Sequence, residues 1–371
     1  MAQTADILVI GGGIAGLSAA AEISEQVRVI VLEAEEQIGF HSSGRSATML
    51  HYALGDRVVR ALTLASRAYL DAPRDDLVLG RRMAVLIHAR EDERHELDAL
   101  EAEIAPFATL ERLDAAGVHE LCPLLKEDAQ FGIADRNGIR LDPHALLQAN
   151  LKSLRANGGD LQTGRRIATL KHQSGGWTAA TEGGNHYSAA IVINAAGSWA
   201  DQIAELARVR PLNLQPKRRT IITFDAPPGT DIDTIPFTKT VGDELYFAPE
   251  SGRLFASPMD EVPSEPCDAQ PDELEVALAA FRMEERTVVK VERIHSRWAG
   301  LRTFTPDRRP AVGFAADASG FFWLAGQGGF GLQTSPAMAQ IAASLILETD
   351  WPVPAVGAEE LSPGRFLGQA A

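Results

Sequence analysis

Cysteine, long apolar runs and positive charge are all scarce in this chain, and each shortage excludes a class of function. Only Cys122 and Cys267 occur among 371 residues, far apart and without metal-ligand spacing, so neither a disulfide framework nor a zinc site is expected. No apolar stretch approaches the roughly 18 residues of a membrane-spanning helix. Thirty-five Lys and Arg face fifty Asp and Glu, and the net charge of −15 argues against nucleic acid or an anionic membrane as partner. The N-terminus lacks the basic region and cleavage site of an export signal, so a cytoplasmic location is expected. What remains is an ordinary globular composition, 45% hydrophobic and 23% charged, enough for a large core in one or two domains.

Ile7, Leu8, Val9 and Ile10 form a short continuous apolar run, the pattern of a strand buried on both faces of a parallel sheet. Gly11-Gly12-Gly13-Ile14-Ala15-Gly16 follows at once. Gly11 suits the tight turn, Gly13 a close backbone approach to a pyrophosphate, and Gly16 the close packing of a helix over 15–24. A second apolar run, 27–32, ends in Glu33, an acid close to the expected spacing for gripping a ribose hydroxyl. Strand, turn, helix, strand and acid in this order point to a dinucleotide, with NAD and FAD both open.

Three further segments carry small or hydroxyl-bearing residues beside apolar strands. Gly39 to Ala47 holds Ser42, Ser43, Arg45 and Ser46, suited to wrapping an extended polar ligand. Ile191-Val192-Ile193-Asn194 runs into Ala196, Gly197 and Trp199, repeating the strand, glycine turn and helix on a smaller scale. Phe321-Phe322-Trp323-Leu324 leads to Gln327-Gly328-Gly329-Phe330-Gly331-Leu332-Gln333-Thr334, after which a helix is expected from Pro336. Its N-terminus would favour negative charge on a reduced ring system.

These segments, with Gln215-Pro216-Lys217-Arg218-Arg219 and Trp298-Ala299-Gly300-Leu301-Arg302, resemble the D-amino-acid oxidase family of FAD enzymes, and within it the bacterial D-arginine dehydrogenase branch. The resemblance covers essentially the whole chain and implies an α/β fold. A Rossmann-like FAD-binding domain (1–80, 141–210, 301–371) is expected beside a discontinuous α+β substrate domain (81–140, 211–300) on a mostly antiparallel sheet. It implies non-covalent FAD, because 303–313 holds no cysteine and the nearer branch leaves the histidine near the N-terminal motif, here His41, unattached. Ala34 and Ile167 join the cofactor contacts on the same basis.

The implied reaction is oxidation of the Cα–N bond of a D-amino acid by hydride transfer to flavin N5, the imino acid then giving a keto acid and ammonia. Arg219 and Arg302, with Tyr246, match the positions that hold the substrate carboxylate, for which the planar guanidinium fork is suited. Arg219 shares its strand face with Ile221 and Thr223, which favours it over Arg218; a solvated basic run is the competing reading, as core packing is for Tyr246. Gly329, Gln333 and Thr334 are expected between flavin and substrate, and His51 is a candidate for steering the amine proton. Arg82 stands where the branch has a carboxylate for the guanidinium, Lys239 replaces an apolar side chain, and Met49 and Leu54 replace a histidine and a tyrosine. These changes imply an acidic or neutral substrate, such as D-glutamate or D-aspartate. A 2-hydroxy acid, a secondary amine such as sarcosine or glycine, and a flavoprotein subunit without chemistry are the alternatives. The acidic and basic residues around Glu91 to Glu96 suit a solvated helix face.

Overall fold

The computed structural model describes residues 2–72, 77–173 and 175–367. Its centre is a six-stranded sheet in the order Asp160–Gln162, Val29–Leu32, Ile7–Ile10, Ile191–Asn194, Phe321–Ala325, Ala311–Phe314. All pairs are parallel except the last. The run 7–10 is buried on both faces, as its unbroken apolarity requires. Ile7 and Val9 pack on the helices Ile14–Ile23, Arg57–Asp71, Pro143–Ala156 and Gly331–Leu347. Leu8 and Ile10 point the other way, onto the helix Ala200–Ala207 and a four-stranded sheet that includes Ile167–Gln173 and Gly176–Thr181. Asp56 and Asp142 start two of the helices by accepting backbone N–H groups of their first turns.

A second, ten-stranded sheet covers the carboxyl ends of these strands. From the short edge strand Gln327–Gly328 its order runs through Ile294–Phe304, Gln215–Phe224, Arg253–Ser257, Tyr246–Glu250 and Phe237–Thr240 to Val85–Ala89 and beyond. Only the pairing of Phe237–Thr240 with Val85–Ala89 is parallel among those joining its strands. Residue 301, where a domain boundary was expected, falls inside the strand Ile294–Phe304, which therefore carries Arg302 from this sheet towards the first.

Two local expectations are corrected. The last helix starts at Gly331, not at Pro336, so the expected glycine loop supplies its first turn. Pro336 has no N–H for the Leu332 carbonyl, and the Ser335 hydroxyl donates to that carbonyl instead at 3.0 Å. The charged stretch 91–96 is not wholly solvated: Glu93 accepts two hydrogen bonds, of 2.6 and 3.1 Å, from buried Arg286. Burial raises the Glu93 carboxyl, but the Arg286 hydrogen bonds outweigh this and hold it below the usual range.

Candidate active site

Three cavities join end to end, reaching from the strand ends at Ile10 and Leu32 of the six-stranded sheet to Phe237, Lys239 and Tyr246 of the ten-stranded one. The first, about 1040 Å³ including its open mouth, runs beside Gly11, Glu33, Ala34, Ile167, Ala196 and Trp199. It shares Gly13, Ser42, Ser43, Ala195 and Gly197 with a second of about 850 Å³, again counting the open mouth. That one shares Ser46, Ala47, Tyr246, Arg302 and Gly329 with a third, smaller chamber. The trough crosses the carboxyl ends of Ile7–Ile10 and Ile191–Asn194, where the order of strands reverses.

At the first end, Gly11 has φ +114° and a methyl carbon there would stand 2.4 Å from the Ala195 carbonyl oxygen, so only glycine makes the turn. The Cβ position of Gly13 meets only the Ser43 hydroxyl, at 3.3 Å, leaving that backbone facing the trough. The helix Ile14–Ile23 begins here, and the Ile14 N–H donates to Ser43 Oγ at 3.0 Å. Glu33 accepts from the Gly12 N–H at 2.6 Å and the Glu35 N–H at 2.8 Å, which fixes its carboxylate at the strand end. His41 lies against the Trp199 ring, centroids 4.5 Å apart.

In the middle cavity, Arg219 faces Gly300 across the antiparallel ladder, which places Arg302 diagonally beside it on the same face. Both line the cavity, as does Ile221. Arg219 Nε donates to the Asp260 carbonyl at 2.7 Å, while its buried Nη1 has no protein partner. Its guanidinium carbon lies 5.9 Å from the Tyr246 ring centroid. Burial, followed by repulsion from Arg219, pulls Arg302 down to about 10. Two guanidinium groups thus share a confined space, and the described lining of this cavity and of the chamber contains no Asp or Glu. Such a space is made for an anion with paired oxygens.

Met49, His51, Leu54, Phe237, Lys239 and Met259 line the small chamber. His51 is buried with an unpartnered Nδ1, and burial, followed by the charges of Lys239 and Arg302, pulls its pKa from 6.5 to about 3. It is therefore a neutral imidazole, far too weak a base to hold a proton taken from an ammonium group. Lys239 is buried, but its ammonium is paired with Asp243.

Several expected site residues lie elsewhere. Arg82 lines none of these cavities: it is exposed and paired with Asp71 at 2.7 Å, because alternation along Gly80–Arg82 turns it outward. Gln333 is buried away from the cavities and ties the His51 backbone to Thr63, donating to the His51 carbonyl at 3.3 Å and to Thr63 Oγ1 at 2.8 Å. The Thr334 hydroxyl is spent on the Phe330 carbonyl, and Phe330 packs against Phe304. Arg45 lines the middle cavity with its guanidinium committed to Asp268 and to the Phe40, Ala269 and Ala299 carbonyls.

Gly328, Gly331 and Leu332 line the cavity as expected positions. Sequence reading missed Thr303, bonded to Ser198 at 2.7 Å, and Gln327, whose buried Nε2 has no partner. It also missed Asp260, which accepts from the Thr220 N–H and hydroxyl and so sets the Asp260 carbonyl that holds Arg219. Asp260 comes from a Pro-rich turn with no local pattern to mark it.

The trough fits an extended dinucleotide bearing a ring system: an open glycine backbone at a helix start, an acid at the second strand end, and an orphaned amide at Gln327. Solved structures share this fold. L-proline dehydrogenase from P. horikoshii superposes with a TM-score of 0.86 at 21% identity, covering 99% of this chain and 98% of that one. Glycine oxidase from Geobacillus kaustophilus gives 0.83 at 21%, covering 99% and 100%. L-alpha-glycerophosphate oxidase from Mycoplasma pneumoniae with FAD bound gives 0.84 at 17%, covering 94% and 98%. The sequence profile DAO, FAD dependent oxidoreductase, matches residues 6–345. The glycine-turn crevice and the whole-chain match together place this chain in the DAO family of FAD-dependent oxidoreductases.

Proposed function

We propose that the protein oxidises the Cα–N bond of a small D-amino acid with a neutral side chain, giving an imino acid that water converts to a keto acid and ammonia. The observation that carries this reading is the convergence of Arg219 and Arg302 on a cavity without a lining carboxylate. Bound FAD, held non-covalently along the trough, supplies the acceptor for the two electrons and the Cα hydrogen. The two guanidinium groups grip the substrate carboxylate, and Arg219 is kept in place by Asp260. Tyr246 closes the site from the strand beside Lys239.

An ammonium group has no lone pair with which to expel a hydride, so the amine must be neutral. Arg219 and Arg302 favour that form, since like charges nearby disfavour a cation. His51 accepts no proton near neutrality and instead offers a neutral polar surface. The side chain of the substrate would enter the chamber of Met49, Leu54, Phe237 and Met259. With Arg82 at the surface and Lys239 neutralised by Asp243, no free charge awaits an acidic side chain, so the neutral option is favoured.

The glycine oxidase and L-proline dehydrogenase relatives are named for amines that carry a carboxylate, which suits the same clamp. The glycerophosphate oxidase shows that the fold also serves an alcohol, so a 2-hydroxy acid is the second reading. Anaerobic mixing of the FAD-loaded protein with D- and L-amino acids, secondary amines and 2-hydroxy acids separates them. Bleaching of the flavin by a neutral D-amino acid, with ammonia released, is expected. Bleaching by hydroxy acids or secondary amines alone would replace this reading.

A further inference from the structure

A fourth cavity opens beside the chamber. It encloses about 1640 Å³ including its mouth, and shares Ser46 and Thr48 with the chamber. Arg81 and Arg140, on its wall, are direct partners across the antiparallel strands Gly80–Arg82 and Ile139–Leu141. Like charges placed opposite one another in this way are destabilising. Arg140 is largely buried, stacked 4.9 Å from the Phe255 ring centroid, and paired with Glu250 through one nitrogen. Its other terminal nitrogen, Nη1, is buried without a partner. Arg253 lines the same wall, paired with Asp225 at 3.2 Å.

The two carboxylates on the wall, Glu250 and Asp142, each have partners within the protein. Glu250 serves Arg140 and the Ser251 hydroxyl, and Asp142 accepts the Ala145 N–H at 2.9 Å. Among the described residues lining this wall, the buried polar atom left without a partner is a donor, the Nη1 of Arg140. A carboxylate approaching this protein meets an overall charge of −15, which slows its encounter unless the entrance is locally positive.

We infer that this vestibule is a capture site for an organic carboxylate, with Arg81 and the Nη1 of Arg140 holding the anion before it passes the Ser46–Thr48 strap to Arg219 and Arg302. The inference rests on the proposed carboxylate clamp. It assigns the cross-strand arginine pair to the association step, separately from the clamp that holds the bound substrate.

The test is stopped-flow mixing of the FAD-loaded full chain with sodium acetate, following the shift of the flavin visible band. For the unaltered protein the association rate constant should fall several-fold from low salt to about 0.5 M salt, as screening weakens attraction. Arg81→Glu, at an exposed position where the new carboxylate can pair with Arg140, should associate about 10-fold more slowly at low salt. The two proteins should converge at high salt, with little change in dissociation rate. Equal association rates at every salt concentration would overturn the capture site while leaving the clamp intact. A flavin band unmoved by acetate would overturn the clamp, and the capture site with it.

Discussion

Gly329 lies so close to Arg302 that a methyl carbon on Gly329 would stand 2.4 Å from the guanidinium carbon. The glycine loop is thus the wall against which one arm of the clamp rests. Gly329→Ala should displace Arg302 and weaken acetate or substrate binding at least about 10-fold, since a buried hydrogen-bonded charge pair is lost or misaligned. Titration of the flavin absorbance with acetate measures this, and unchanged affinity would show that Arg302 takes no part in the clamp.

Arg219→Lys keeps the charge and discards the fork. It also removes the Nε donor to the Asp260 carbonyl. A loss of about 100-fold in kcat/KM for flavin reduction is expected, from bidentate geometry that an ammonium cannot reproduce. A loss under about 3-fold would place the substrate carboxylate elsewhere.

Asp243 neutralises Lys239 from an exposed turn, while the lysine itself is buried at the chamber wall. Asp243→Asn should leave a cation beside the substrate side chain and shift preference from neutral towards acidic amino acids. The ratio of kcat/KM for D-glutamate to that for D-alanine should rise about 10-fold, in line with one new charge contact. A constant ratio would mean that the ammonium does not act on the chamber.

His51 and His88 are each held at about 3 instead of 6.5, by burial first and then by neighbouring cations. Unfolding lets both take up protons as the pH falls below 6.5, whereas the folded state takes them only near 3, so stability is lost across that window on acidification. Glu261 adds to the loss below 4.5: burial raises its carboxyl, but hydrogen bonds from Arg308 and Lys217 outweigh this and hold it at about 2. Both ring nitrogens of His88 lack partners, so His88→Leu removes a proton site without breaking a hydrogen bond. The urea midpoint of this variant should fall less steeply between pH 6.5 and 4.5 than that of the unaltered protein. An equal slope would assign the acid loss to other groups.

The dinucleotide unit was legible because every part of it is local. The apolar run 7–10, the glycines and Glu33 lie within one strand-turn-helix-strand passage, and periodicity with turn chemistry specifies such a passage without help from the rest of the chain. Alternation likewise chose Arg219 over Arg218, which lies on the other face near Asp272. At Gly80–Arg82 it was the match to the resembling branch that chose Arg82, and the strand turns that residue to Asp71 while Arg81 faces the vestibule. A slip of one in a strand exchanges its two faces.

What the sequence by itself determined is therefore the short-range chemistry: a buried parallel strand, a glycine turn open to a phosphate, an acid at the next strand end, and a whole-chain pattern shared with one family. The tertiary structure alone decided which charges remain free. Asp243, Asp260 and Asp71 come from turns and helix ends that no periodicity marks, yet their carboxylates lie beside Lys239, Arg219 and Arg82. Charge pairing depends on distance in space, and the chain brings those partners together only when it folds.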